Sequence, residues 1–503
     1  MQRSLQRKTP LFDALMNYIH EETIPFHVPG HKQGRGNEFL ASILGKTTLA
    51  MDLTCLEDLD NICNPKGVIK EAESLAAAAF GAENAFFLVN GTTCGIQAMI
   101  MSVCNPGDKI IIPRNAHKSA IGGIILSGAH PVYIEPEIDP FLGIALAITP
   151  EKVQKALELH PDAKAVFVIN PIYYGIAPNL KEIVNVAHSY NVPVIVDEAH
   201  GAHLSFHEDL PLSAMEAGAD LSASSTHKLI GSLTQSSMLL HQGNLIDPEY
   251  IKSVLNLTQT TSPSYILLAS LDIARREIAL YGRERIDKAI KLAEKAREEL
   301  RKIEGLYILD NSILDGHSRY AFDPTKLVIN ARDLGFSGYE IERILRKKYH
   351  IQLELSDLYN IIALVTIGDD ESTINTFVKA LKEIVSGRQV NKVVRYFVDL
   401  PKISEQQVLP RDAFYGETRI IPLEEAEGEI SAEAIMAYPP GIPIICPGER
   451  ITKEIIEYIQ LLHSEEAQLQ GTQDPQVKNI KVLNQRLVLL QNQADSIQNE
   501  NVG

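Results

Sequence analysis

From Glu71 onward the chain alternates short apolar runs with amphipathic stretches. "ESLAAAAFG" reads as a helix closed at Gly81, "AFFLV" as a buried strand, and "GIQAMIMSVC" as a helix ended by "NPGD". Four further strands follow, "KIIIP", "HPVYIEP", "AKAVFVIN" and "VPVIVDEAH", the later ones separated by helical segments such as "TPEKVQKALELH" and "NLKEIVNVAHSYN". β-Branched runs alternating with amphipathic helices predict an α/β fold with a mostly parallel sheet covered on both faces.

The same pattern divides the chain. Residues 1–60 are a loop-rich arm, and 61–300 form the large domain, which the helical stretch "SYILLASLDIARREIALYGRERIDKAIKLAEKAREELRKIEG" leads out of. Residues 301–395 read as a smaller α/β domain and 396–465 as a third, Pro- and Gly-punctuated unit. Beyond 466 the chain turns polar. There Ile480, Leu483, Leu487, Leu490, Ala494 and Ile497 fall at spacings of three and four, which predicts a short docking helix or a polar tail.

Composition narrows the function classes. At 503 residues several domains are expected, and the net charge of −17 excludes a nucleic-acid binder, which would need a basic stripe. It suits a cationic small molecule as partner. The 5 cysteines include no CxxC pair, so free thiols in a reducing cytoplasm are expected. The basic "MQRSLQRKTP" is followed by an amphipathic, acidic segment and not by a signal-peptide core, and no apolar run approaches the roughly 18 residues of a membrane span.

The chemistry starts at "SSTHKLIGSLTQSS", where Lys228 sits in a nest of hydroxyls. A lysine amine is useful near neutral pH when it forms a Schiff base, and pyridoxal phosphate is the commonest partner for that. Such a cofactor needs a phosphate cradle, a carboxylate for its pyridinium nitrogen and a flat group against its ring. "LVNGTTCGI" runs from strand to helix, so Gly91, Thr92, Thr93 and the first amides can receive an anion, with Ser225 and His227 adding donors. Asp197 closes an apolar strand, where open α/β sheets bind ligands. His117 and His200 follow strands on the same edge. Each feature alone has an ordinary structural alternative: a hydroxyl helix cap, an Asp capping the next helix, a core histidine. Lys118, beside His117, is a rival for Lys228 without the flanking hydroxyls.

Taken together, "PFHVPGHKQG", "LVNGTTCG", "RNAHKS", "VDEAHGAH", "STHKLIGSLTQSS" and "AYPPGIPIICPGE" resemble the bacterial pyridoxal-phosphate-dependent ornithine/lysine/arginine decarboxylases, over residues 8 to 465. The resemblance implies an aspartate-aminotransferase-like (type I) fold. It casts Lys228 as the Schiff-base lysine, Asp197 as the pyridinium partner, His117 as the stacked ring, and Ser225, His227 and Thr93 as phosphate contacts. His200 stands where some members carry another aromatic residue, and Cys94 replaces a common hydroxyl, so a contact there would be through its backbone. The chain begins almost at "PFHVPGH", like a short form without the regulatory-like N-terminal domain.

The implied reaction is decarboxylation of a basic amino acid, with Lys228 or His227 returning a proton to Cα. Arginine, giving agmatine for polyamine synthesis, is the expected substrate, with lysine next and ornithine third. Glu449 and the acids of "PLEEAEGE" are candidates for the distal cation. A homodimer or larger assembly is expected, with "AYPPGIPIICPG" as apolar surface needing cover. The competing readings are an aminotransferase of the same fold and a metal hydrolase on His200, His203 and His207, whose Gly- and Pro-containing segment ill suits a helix; no metal is expected.

Overall fold

The computed structural model describes residues 2–386, 401–437 and 441–484. Its centre is a sheet of seven strands: β1 (Asn84–Leu88), β2 (Lys109–Pro113), β3 (His130–Ile134), β4 (Ala165–Ile169), β5 (Val194–Asp197), β6 (Leu221–Ser224) and β7 (Ser237–His241). Their spatial order is β1-β7-β6-β5-β4-β2-β3. All neighbours run parallel except β7, which is antiparallel to both β1 and β6. Successive side chains alternate between two cores. Phe87, Val166, Val168, Val194 and Val196 join one helix layer, while Phe86, Leu88, Phe167 and Ile195 join the other. Burial on both faces explains why these strands read as unbroken apolar runs.

The 36-residue helix Tyr265–Leu300, about 54 Å long, belongs to two cores. Leu268, Leu271, Ile278 and Ile286 pack under the large sheet; Leu292, Ala293, Ala296 and Leu300 pack in the next unit. That unit is a four-stranded antiparallel sheet containing β8 (Lys326–Asn330) and β9 (Asn360–Leu364), covered by the helix Glu371–Ser386.

The last unit corrects two expectations. Ile480 and Leu483 do not lie on a helix: β11 (Asn479–Leu483) pairs with β10 (Thr418–Pro422) and buries Ile480 and Val482. Leu483 is buried with them, and the three-and-four spacing does not mark a helix here, because a partner strand some 60 residues earlier holds the segment extended. Leu487, Leu490, Ala494 and Ile497 lie outside the described residues. Within "AYPPGIPIICPG", Ile445 and Cys446 are buried inside this same chain, whereas the exposed apolar side chains gather in the N-terminal arm, with Phe26 95% and Phe39 78% exposed. No helix among the described residues is long and apolar enough to cross a membrane.

Candidate active site

Parallel pairing of β5 with β6 creates the site. Asp197, the last residue of β5, lies opposite Ala223, and β6 then runs through Ser225 into the single helical turn Thr226–Leu229 that carries Lys228. Two residues distant in sequence thereby meet at the carboxyl edge of the sheet, where such sheets bind ligands.

Burial works on both. It pulls the Lys228 ammonium below its ordinary range, against the opposing pull of Glu354 and Asp197. Asp197 is only 6% exposed, and burial pushes its carboxyl up to about 6, although the Ala199 amide and Lys228 favour the charged form. The Ala199 N–H donates to Oδ1 at 3.1 Å, and no cation stands within ion-pair distance of Asp197 among the described residues. Its neighbour Glu198 points elsewhere and is fully engaged, accepting from the Ala214 amide at 2.7 Å and the Ser222 hydroxyl at 2.8 Å. One acid of "DEAH" is structural and the other is left open.

An anion cradle lies beside them. The helix Gly91–Val103 starts at Gly91, whose φ of +74° is cheap only for glycine, and whose N–H donates to the Gln235 carbonyl at 2.9 Å. Asn90 does not cap the helix with its side chain. Gln235 is itself held at φ +82°, a strained conformation for a non-glycine residue. The Thr92 hydroxyl is buried and shared with Ser225 and with Ser237, the latter at 2.7 Å, so Thr93 is the exposed hydroxyl at this helix start. Cys94 turns its thiol towards Thr258.

The histidines take different roles. His117 caps the helix Lys118–Ser127, with Nδ1 accepting from the Ser119 amide at 3.2 Å and paired with the Ser119 hydroxyl at 2.7 Å. Burial, with Lys228 and Lys118, pushes its pKa down to about 4, leaving a neutral flat ring. The Lys118 side chain is exposed. His227 donates from Nδ1 to the Ser236 carbonyl at 2.7 Å, which leaves the Nε2 lone pair available. His200 bridges two lysines, with Nε2 2.8 Å from Lys228 Nζ and Nδ1 3.3 Å from Lys326 Nζ. Tyr173 packs edge-on against its ring.

The metal-hydrolase reading finds no support in this geometry. His203 faces Asp323 and His207 lies near Asp209 and Asp287, so these rings diverge from His200. Glu449 is also unavailable for a distal cation: it is fully buried and accepts from Arg114 Nε at 2.8 Å and Nη2 at 2.7 Å. In "PLEEAEGE", Glu424, Glu425 and Glu427 are exposed on the surface. A cavity of about 390 Å³ does adjoin the site through Asn115 and Tyr173. It holds Asp357, whose Oδ2 accepts from the Tyr174 hydroxyl at 2.6 Å, with Tyr339 and Tyr458 among its walls. Sequence reasoning missed Ser237, Asp357 and Lys326. Ser237 closes "SSTHKLIGSLTQSS", a signal that could have found it, whereas nothing local marks Asp357 or Lys326, since a lysine heading "KLVIN" reads as a strand flank.

The donor set fits pyridoxal phosphate. A desolvated amine can join an aldehyde, a buried carboxylate lacks a cation, a neutral ring lies close by, and the helix start can take a phosphate.

Comparisons with known proteins agree. Residues 9–373 match the family model for the Orn/Lys/Arg decarboxylase major domain, and residues 392–479 that for its C-terminal domain. The chain is 48% identical over 486 residues to an arginine decarboxylase of Bacillus anthracis, covering 96% of this chain and 99% of that protein. An arginine decarboxylase of Bacillus subtilis (strain 168) is 48% identical over 484 residues, with 96% and 99% covered. In fold the chain is similar to the crystal structure of the Francisella novicida lysine decarboxylase, with a TM-score of 0.82 at 23% identity, covering 94% of this chain and 81% of that one. With its lysine, carboxylate and cradle assembled at one sheet edge, the chain belongs to the Orn/Lys/Arg decarboxylase family and is a pyridoxal-phosphate-dependent amino-acid decarboxylase.

Proposed function

We propose that this chain converts L-arginine to agmatine and CO₂, with pyridoxal 5'-phosphate joined to Lys228. The observation that carries the reaction is the half-buried, desolvated Lys228 near Asp197, a carboxylate without a cation of its own. The choice of arginine is supported by near-full-length identity to arginine decarboxylases.

When bound, the cofactor supplies a carbon that condenses with amines and a ring that accepts the electron pair left by CO₂. The remaining work falls to side chains. The first amides of the helix Gly91–Val103, with Thr93 and Ser225, bind the phosphate. Asp197 holds a proton on the ring nitrogen, which relieves its own burial as an unpaired charge. His117, neutral and flat, would lie against the ring. Lys228 would give way to the incoming α-amine, and it or His227 Nε2 would return the proton that replaces the carboxylate at Cα. Desolvation favours the neutral, nucleophilic form of Lys228 that this exchange requires.

For the distal guanidinium we place Asp357 in the role expected of Glu449. Asp357 has its Oδ1 held by the Tyr359 and Asn360 amides, but unlike Glu449 it has no cation in contact among the described residues. It lines a cavity with tyrosine rings next to the site, a setting that suits a planar cation. The exposed Phe26, Phe39 and Ile24 support a homo-oligomer that covers the N-terminal arm.

The test is kcat/KM for arginine, lysine and ornithine on one preparation, with agmatine and CO₂ measured as products. Arginine is expected to lead. Lysine ahead by tenfold, about 1.4 kcal/mol in transition-state binding, would refute the substrate and leave the reaction class standing. A keto-acid product would refute the reaction.

A further inference from the structure

Lys326 has no role in the scheme above, yet it is placed with care. It opens β8 in the smaller unit and is 0% exposed. Its backbone is held by strand pairing with Leu364 and by Arg297, which donates to its carbonyl at 2.8 Å. Its stem lies over Gly175, at φ +88°, where an added Cβ would come within 3.1 Å of Lys326 Cδ. The amine therefore has a prepared channel, and it ends 3.3 Å from His200 Nδ1.

We propose that Lys326 is a positioning residue: by donating to Nδ1 of His200 it fixes that ring's proton on Nε2, where it faces Lys228 at 2.8 Å. The proposal rests on the reading of Lys228 as the cofactor lysine.

The reasoning is one of donors and acceptors. An ammonium has only donors, so Nδ1 must accept, and a neutral imidazole that accepts at Nδ1 carries its proton on Nε2. That Nε2–H needs an acceptor, and the Lys228 amine offers a lone pair only when uncharged. The second lysine thus biases the first towards its nucleophilic form through an imidazole that cannot ionise easily. Burial, with Lys228 and Lys326, holds His200 well below its ordinary range.

The other charged groups around this pair are accounted for. Burial draws Lys326 below its ordinary range, as Lys228 also does, while Asp323 and Glu354 favour its charged form; Asp197 and Glu354 favour that of Lys228, and His117 and His203 act on His200. Asp323 lies 3.2 Å from His203 Nε2 and accepts from the Thr325 hydroxyl at 2.6 Å, so the counter-charge is itself anchored.

The test is a pH titration of the visible absorption of the holoenzyme, whose midpoint reports protonation at the Lys228 nitrogen. In Lys326→Met the ring is free to present a lone pair to Lys228, and the midpoint should rise by about 1 pH unit. Lys326→Gln keeps a donor for Nδ1 while dropping the charge, so its midpoint should move less than half as far; it also serves if the Met variant fails to fold. In a His200→Phe background, Lys326→Met should lose most of its effect. An unmoved midpoint in a variant with wild-type melting, equal shifts for Gln and Met, or a full shift without His200 would each overturn the proposal. Failure of the underlying reading looks different: borohydride would fix the cofactor of the wild-type enzyme on a lysine other than 228.

Discussion

Two groups of buried charge stand near the carboxyl edge of the large sheet, and they are finished to different degrees. Arg114 and Glu449 form a closed set. The guanidinium gives two bonds to the carboxylate and one at 2.8 Å to the Pro443 carbonyl, and the carboxylate also accepts from the Cys446 amide. Around Lys228 the set is open, with two lysines sharing one imidazole and Asp197 holding a single amide. A buried charge without its partner costs stability, and it persists where something else completes it. The closed cluster clamps the C-terminal unit to the large sheet. Under the proposed function, the open one is where the cofactor would supply the missing partner.

Breaking each cluster should therefore give opposite signatures. The largest effect is expected for Lys228→Ala, which removes covalent exchange and should lower turnover by several orders of magnitude. In the cofactor-free state its melting temperature should stay at or above that of the cofactor-free wild type, because a desolvated amine is lost; a collapse in thermal stability there would put Lys228 in the structural class.

Glu449→Gln should do the reverse. Leaving Arg114 buried without its anion should cost about 3–5 kcal/mol in denaturant unfolding. Arg114→Met combined with Glu449→Leu should recover much of that, since apolar pairs of similar volume often replace buried ion pairs at little cost. A loss smaller than 1 kcal/mol for the single change would show that the clamp is not closed as described.

Asp197 sharpens the contrast through pH. Its carboxyl titrates at about 6 in the fold against an ordinary 3.8, so between those values the folded chain holds a proton that the unfolded chain has released. Stability of the cofactor-free chain should accordingly fall as pH rises through that window, and Asp197→Asn should flatten the fall. The same variant should still bind cofactor but lose most of its turnover, because a neutral amide cannot hold the ring nitrogen protonated. Parallel melts of both cofactor-free proteins across the window, with turnover of the loaded forms, check each half.

The smallest effect is expected at His117. Loss of a stacked ring in His117→Ala should weaken cofactor retention by about 1 kcal/mol, read as a roughly fivefold rise in the dissociation constant. A far larger loss would mean that its helix-capping bonds to Ser119 shape the cradle.

Most of the large domain was legible because its strands are buried on both faces and say so in unbroken apolar runs. The strands β6 and β7 were not read. After Leu221, "LSAS" offers only small and hydroxyl residues, and its four positions are fully buried by neighbours that the local pattern does not mention. The stripe at Ile480 misled for the complementary reason: apolar spacing fits a helix or a strand until a pairing partner is known. In the site, Lys228, Asp197 and His117 could be named from short motifs, since each lies at a strand end or helix start whose chemistry is written in its own flanks.

The sequence by itself determined the fold class and singled out the lysine, the carboxylate and the helix start proposed to bind phosphate, because these depend on residue types within a few positions of one another. Tertiary structure alone decided which acid faces the site and which is spent: Asp197 is left open, whereas Glu449 is consumed by Arg114, 335 residues away. It also decided that Lys326, from another unit, reaches His200 behind Lys228. Desolvation and donor–acceptor matching between distant segments are properties of assembled space, and no local pattern along the chain records them.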